Sequence, residues 1–173
     1  MRAWWIIALA TGVIPARLLG QNSEAPTTQS VYSLYVTRHD ATVEFAQLGK
    51  SKAADGRIRK LADQLITENK TTAEKVRKLA EKDKVVLTRV DHDTTEVLLA
   101  NARQLESKSG AAWDTAYALQ TYDWLQALMM DNGKRVLRAV PDGDLKKFAE
   151  AYNGFLFREL VEASRVRDKY RKK

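Results

Sequence analysis

Apolar residues recur every three or four positions along most of this 173-residue chain, the spacing of helices with one buried face. The pattern is clearest from Ile58 to Ala80, where leucine, isoleucine, valine and alanine side chains share one face. No segment alternates apolar and polar residues over the length of a strand. The pattern therefore predicts an all-α protein.

The breaks in this pattern divide the chain into four long helices and one short one. Asp55-Gly56 ends the first helix, and Asp55 is expected to cap the second. Gly133 is expected to kink the third long helix or to end it early, and Pro141 opens the turn before the last. This order predicts an antiparallel four-helix bundle, with the short helix lying as a lid across one end or side. The predicted helices span residues 29–54, 56–83, 94–107, 110–140 and 144–169.

The N-terminus resembles an export signal. Met-Arg is followed by an uncharged stretch from Ala3 to Pro15, too short to cross about 30 Å of hydrocarbon. We expect cleavage after Gly20, export to the periplasm or outer membrane, and no transmembrane span in the mature chain. An uncleaved N-terminal helix, amphipathic or buried, is the alternative. The predicted domains are a signal peptide at 1–20, a polar segment at 21–30, and a helical domain with a basic C-terminal tail at 31–173.

Charge points to an anionic partner. The chain has 29 Lys and Arg against 22 Asp and Glu, a net charge of +7. Loss of Arg2 and Arg17 with the signal leaves +5, much of it between Arg165 and Lys173. This tail could contact envelope proteins, anionic lipid or cell-wall polymer, whereas export argues against nucleic acid. Alternatively, these cations only complement the dipole at the end of the last helix.

Composition restricts the chemistry. The chain has no Cys, which excludes disulfides, thiol chemistry and a lipoprotein anchor, and it has two His. Ferritin-like di-iron sites need Glu-x-x-His motifs, and neither His39 nor His92 belongs to one. We expect His39 at the surface of the first helix and His92 in a solvated connection. Catalytic residues, a bound metal and other cofactors are not predicted.

Two polar residues fall on apolar faces. Asn69 shares the register of Leu65 and Ala73, and Glu159 that of Leu156. A buried carboxylate must be paired or protonated. We therefore expect Asn69 and Glu159 to bond to each other or to Tyr117; the alternative is that Glu159 lies at the rim of the helix interface. Two tryptophans are predicted to be core residues: Trp113 and Trp124.

The stretch Ser109-Gly110-Ala111-Ala112-Trp113-Asp114-Thr115-Ala116-Tyr117 resembles the Ser-Gly-x-x-Phe-Asp-x-x-Tyr motif of domain-of-unknown-function family 4142. Members are exported bacterial proteins, often described as outer-membrane proteins, with a ferritin-like four-helix fold. The resemblance extends over residues 31–165 and includes Leu145-Lys146-Lys147-Phe148-Ala149. We expect Asp114 to lie in the first turn of its helix and to act structurally, because a carboxylate there complements the dipole.

Departures from the family motif concern its histidines. The family's Asp-His after the second-helix motif is Glu68-Asn69 here, and its later histidines align with Leu125 and Glu159. Asn153-Gly154 replaces a Leu-Pro pair. If those histidines bind metal or carry protons in relatives, this chain must act differently.

Two functional hypotheses follow from the sequence. The first is a non-catalytic structural or interaction protein of the bacterial envelope, which retains a remnant polar site at Glu44, Glu68, Asn69, Asp123 and Glu159. The second is a ferritin-like metal-binding or stress-related redox protein whose carboxylate ligands are Glu44, Glu68, Asp123 and Glu159.

Overall fold

The computed structural model describes residues 27–88 and 93–171. The predicted signal peptide at 1–20, residues 21–26 of the polar segment, His92 and the last two lysines lie outside these ranges. The described part of the chain is helical, without a strand, which confirms the predicted class. Its helices are α1 (Thr28–Lys52), α2 (Gly56–Lys82), α3 (Asp93–Glu106), α4 (Gly110–Asp131), α5 (Leu137–Ala139) and α6 (Asp144–Arg171).

Side-chain caps set where the first two helices begin. The Thr27 side chain accepts a hydrogen bond from the Ser30 N–H at the start of α1. The predicted cap at Asp55 is confirmed, because its carboxylate accepts from the Arg57 N–H at 2.8 Å. Each cap satisfies an N–H group that the first helical turn leaves without a partner.

Helices α1 and α2 pack with their contacts in reversed chain order. Tyr32, near the start of α1, donates a hydrogen bond to Asp83 just after α2, whereas Lys50, near the end of α1, pairs with Asp63 in the first third of α2. Between α4 and α6, the Arg167 guanidinium lies 3.5 Å from the centre of the Tyr122 ring. These pairs bury an apolar core that includes Trp113 and Trp124, as the sequence predicts.

One irregular turn continues α4. Residues Asn132–Val136 form a π-helical turn around Gly133, the position at which the sequence predicts a kink or an early end. The wider turn carries Asn132 into the interior, where it is fully buried. Such turns often occur at special sites within helices.

The short helix α3 packs along α1 and α4 and contributes Leu98 and Leu105 to the core. It therefore lies against the side of the long helices. None of the helices in the described ranges is both long enough and apolar enough to cross a membrane.

Candidate functional site

Asn69 is the centre of a buried polar cluster that joins three helices. Its Nδ2 donates to Glu159 Oε1 on α6 at 2.7 Å, and its Oδ1 lies 2.7 Å from His39 Nδ1 on α1. Asn69 and Glu159 are each 1% exposed. The predicted contact between Asn69 and Glu159 is thus confirmed, and neither side chain lies at the rim.

The expected position of His39 is wrong. The sequence predicts a surface residue, because Arg38 and Asp40 flank it, yet His39 is 0% exposed. Its helical neighbours are Tyr35 and Val43, four residues away on either side and both buried. This spacing of four residues indicates that His39 lies on the buried face of the helix, whereas the charged residues next to His39 in the sequence suggest a surface position.

Backbone geometry fixes the proton positions in this cluster. Asn69 Nδ2 also donates to the Leu65 carbonyl at 2.9 Å, and a carbonyl accepts only, so this atom must be the amide nitrogen. The atom facing His39 is therefore the amide oxygen. It follows that His39 Nδ1 carries a hydrogen and donates it to Asn69.

Burial disfavours charge in this cluster. Desolvation lowers the pKa of His39 to about 4, although the hydrogen bond that His39 donates to Asn69 acts in the opposite direction. Desolvation and the nearby charge of Glu68 raise the pKa of Glu159 well above its ordinary value. Burial thus favours the neutral imidazole of His39 and the protonated form of the Glu159 carboxyl group, on either side of the Asn69 amide.

Tyr152 completes this cluster from α6. Its ring meets His39 edge-on, with 5.1 Å between ring centres, and desolvation followed by the charge of Glu159 raises its pKa well above the ordinary value. Three buried atoms of this cluster find no hydrogen-bond partner among the described residues: His39 Nε2, Tyr152 Oη and Glu159 Oε2. An additional charge in this cluster would be unfavourable. These three polar atoms are buried and already lack hydrogen-bond partners, and a charge in a region of low dielectric is costly unless it is paired.

A second polar set, missed from the sequence, surrounds the π-helical turn. Asn132 accepts a hydrogen bond from the Tyr35 hydroxyl and donates to Asn153 Oδ1 at 2.9 Å. Asn153 thus replaces the family's leucine with a partner for Asn132. Nothing in the local sequence indicates this pairing, because Tyr35 lies 97 residues from Asn132.

The same region holds a buried cation. The Arg38 side chain is 0% exposed and pairs with Asp131, which also accepts from Arg135. Burial alone would raise the pKa of Asp131, but hydrogen bonds and charge from Arg135 and Arg38 lower it to about 2. The carboxylate therefore stays ionised and compensates the arginine charge.

The other carboxylates of the predicted polar site stand apart. Glu44 and Asp123 are exposed, and Glu68 is half-buried. Over residues 27–88 and 93–171, no three His, Asp or Glu side chains are placed to hold a metal ion. The carboxylate ligand set of the second hypothesis, Glu44, Glu68, Asp123 and Glu159, does not converge among these residues.

The Ser109–Tyr117 motif anchors the start of α4 to the turn between α1 and α2. Ser109 is extended before the helix, and Gly110 has φ +54°, a left-handed conformation that favours glycine. Asp114 accepts from the backbone N–H groups of Ala54 and Asp55 at 3.0 and 2.9 Å. Because α4 begins at Gly110, Asp114 lies beyond the first turn, so its expected dipole role is wrong. It holds the adjoining turn instead.

Tyr117, the last motif residue, packs into a gap left by a glycine. Its ring stacks on Phe45 and Trp113, with ring centres 4.9 and 5.0 Å away. A Cβ at Gly49 would lie 2.3 Å from the Tyr117 ring, so only glycine permits this contact. The motif therefore contributes to the packing of the helices. The alternative hydrogen bond of Tyr117 to Asn69 or Glu159 does not form among the described residues.

The described residues thus form an all-helical protein with a buried polar cluster and a motif that anchors α4 to the turn between α1 and α2. Residues 16–165 match the family model described as Domain of unknown function (DUF4142), and the chain belongs to that family. No curated protein and no solved structure matches the chain.

Proposed function

We propose that the four long helices form an antiparallel four-helix bundle of the ferritin-like type, and that the chain is a non-catalytic interaction protein of the bacterial cell envelope. The reversed contact order between α1 and α2, and the resemblance of the Ser109–Tyr117 motif, support the bundle. The short helix α3 is an addition to it.

The hydrogen bonds of Asn69 carry the non-catalytic part of this proposal. The Asn69 amide accepts a hydrogen bond from His39 and donates one to Glu159, and the residues of this cluster are almost fully buried. A catalytic acid or base must come within hydrogen-bond reach of its substrate. Because these groups are buried, their role is to stabilise the packing of the helices. A partner would therefore bind to the outer surface of the protein.

Export is the second part, and the uncharged stretch from Ala3 to Pro15 supports it. Cells expressing the full chain with a C-terminal tag should accumulate the protein in the periplasmic or membrane fraction. The mass of that protein should place its first residue near Gln21. Full-length protein in the cytosol would contradict the proposal.

A partner screen tests the interaction role. The mature protein, isolated from expressing cells and immobilised, should retain a component of envelope extracts under conditions in which a heat-unfolded sample does not. Retention of no protein, lipid or wall polymer would contradict it. A substrate turned over by the protein would equally overturn the non-catalytic assignment.

A further inference from the structure

A basic groove runs between the beginning of α2 and the end of α6. It encloses about 230 Å³, and Leu61 and Val166 supply apolar atoms to its lining. Two cations come from each helix. They are Arg57, Lys60, Arg165 and Lys169.

The end of α6 is held in this position. Val166 is buried, and the Tyr170 hydroxyl donates to Asp55 Oδ2 at 2.7 Å, next to the start of α2. The residues that the sequence places in a basic tail are therefore helical through Arg171 and docked against α2. Because the end of α6 packs against α2, Arg57 and Lys60 of α2 line the same groove as the cations of the tail.

Two of the four groove cations remain available to an anion. Arg57 is paired with Asp55, and Arg165 with the one acidic residue of the groove, Glu162. No carboxylate in the described ranges forms an ion pair with Lys60 of α2 or Lys169 of α6, and both line the groove. An anion between them would be attracted from both sides.

An exposed aromatic ring lies beside this groove. A neighbouring depression shares Gln64 and Glu162 with the groove, and its other lining residues are Glu68, Phe157, Arg158 and Val161. The Phe157 side chain is 59% exposed, which is unusual for a large apolar residue. Cations beside an exposed aromatic ring suit an anionic membrane surface, where charge attraction and apolar insertion combine.

We propose that the α2–α6 groove binds the phosphate of an anionic phospholipid headgroup, with Lys60 and Lys169 on the phosphate and Phe157 inserted among the lipid chains. This inference rests on the proposed envelope function and names its ligand. Charge alone would also attract soluble phosphate esters. The aromatic ring favours the lipid, because a soluble phosphate offers nothing for it to contact.

The test is co-sedimentation of the mature protein with vesicles of phosphatidylcholine alone or mixed with phosphatidylglycerol. Binding should require phosphatidylglycerol and weaken with added salt. The double variant Lys60→Glu, Lys169→Glu should bind the mixed vesicles at least about 30-fold more weakly. The matched control, Lys78→Glu with Lys134→Glu, makes the same charge change at exposed positions away from the groove and should retain most of the binding.

Phe157→Ser distinguishes lipid from soluble phosphate. It should weaken vesicle binding, and inorganic phosphate at concentrations that hardly change ionic strength should not compete. Equal binding by the groove and control variants, or binding unaffected by Phe157→Ser, would overturn the groove proposal and leave the envelope function standing. A cytosolic location would instead remove the envelope function on which the proposal rests. Thermal unfolding of each variant verifies that it is folded.

Discussion

Asn69 Nδ2 lies 2.7 Å from Glu159 Oε1, and this hydrogen bond joins α2 to α6 inside the protein. The opposite side of the same amide accepts from His39 on α1. One side chain thus links three helices, because its bonds to His39 and to Glu159 each cross a helix interface. Buried amides of this kind fix the register of helices because misaligned packing leaves them without partners.

Replacing Asn69 should destabilise the fold. Asn69→Leu keeps a similar volume but leaves the His39 N–H and the Glu159 carboxyl group buried without partners, at a cost of about 3 kcal/mol in free energy of unfolding. Thr71→Ala, at an exposed position of the same helix, should change it by less than about 0.5 kcal/mol. Urea unfolding monitored by circular dichroism gives both values. Equal effects would contradict the linking role.

Acid should reveal the burial of His39. Below about pH 6.5 the unfolded chain binds a proton at His39, whereas the folded chain does not do so until about pH 4. A lowered folded-state pKa gives stability above this window that is lost as the pH falls through it, up to about 3 kcal/mol at 1.36 kcal/mol per pKa unit. His39→Gln keeps an N–H toward Asn69 and cannot titrate.

Stability of native protein and His39→Gln should therefore be compared at several pH values. The difference between them should move in favour of the variant as the pH falls from about 7 to about 4. The comparison with the variant cancels the contributions of other groups that titrate in both proteins. A difference that is independent of pH would show that His39 is solvated.

Glu159 should give the opposite pH dependence. Its folded-state pKa is raised, so its stabilising contribution is complete below the ordinary value of 4.5 and is lost as the pH rises toward the folded-state value. Glu159→Gln retains an oxygen for Asn69 and removes the titration. The variant should gain stability relative to native protein as the pH rises above 4.5. Glu44→Gln, at an exposed carboxylate, is the matched control and should show no such gain.

A pair of glycines tests the packing of the Ser109–Tyr117 motif. Gly49→Ala places a Cβ 2.3 Å from the Tyr117 ring and should cost about 3 kcal/mol, as overpacking does. Gly133→Ala meets nothing within 4 Å and should be neutral or stabilising by about 0.5 kcal/mol. Adding Tyr117→Leu to Gly49→Ala should recover part of the loss. Independent effects of the two substitutions would contradict the contact.

The sequence predicts the helices and the burial of Asn69 and Glu159 because these features follow from local spacing. Asp55 is recognisable as a cap for the same reason. Each of these residues reveals its environment through neighbours three or four positions away.

Contacts between distant segments escape this reasoning. Arg38 meets Asp131 93 residues later, and nothing near Arg38 in sequence marks a buried cation. The sequence predicts that Asp114 is a carboxylate at the start of a helix. Its partners are instead backbone N–H groups about 60 residues earlier. Because every residue except proline has such a group, the sequence does not indicate which of them Asp114 binds. The burial of His39 could have been predicted from its helical register, which is a better guide to burial than the charged residues next to it in the sequence.

A cluster of His39, Asn69 and Glu159 that serves to join helices needs no metal ion. Metal analysis of the mature protein, purified without chelator, tests this role. Iron, manganese and zinc should be present well below stoichiometric amounts, and chelator should leave the unfolding temperature unchanged. A stoichiometric metal that is lost in both Asn69→Leu and Glu159→Gln would show instead that the cluster is a metal site.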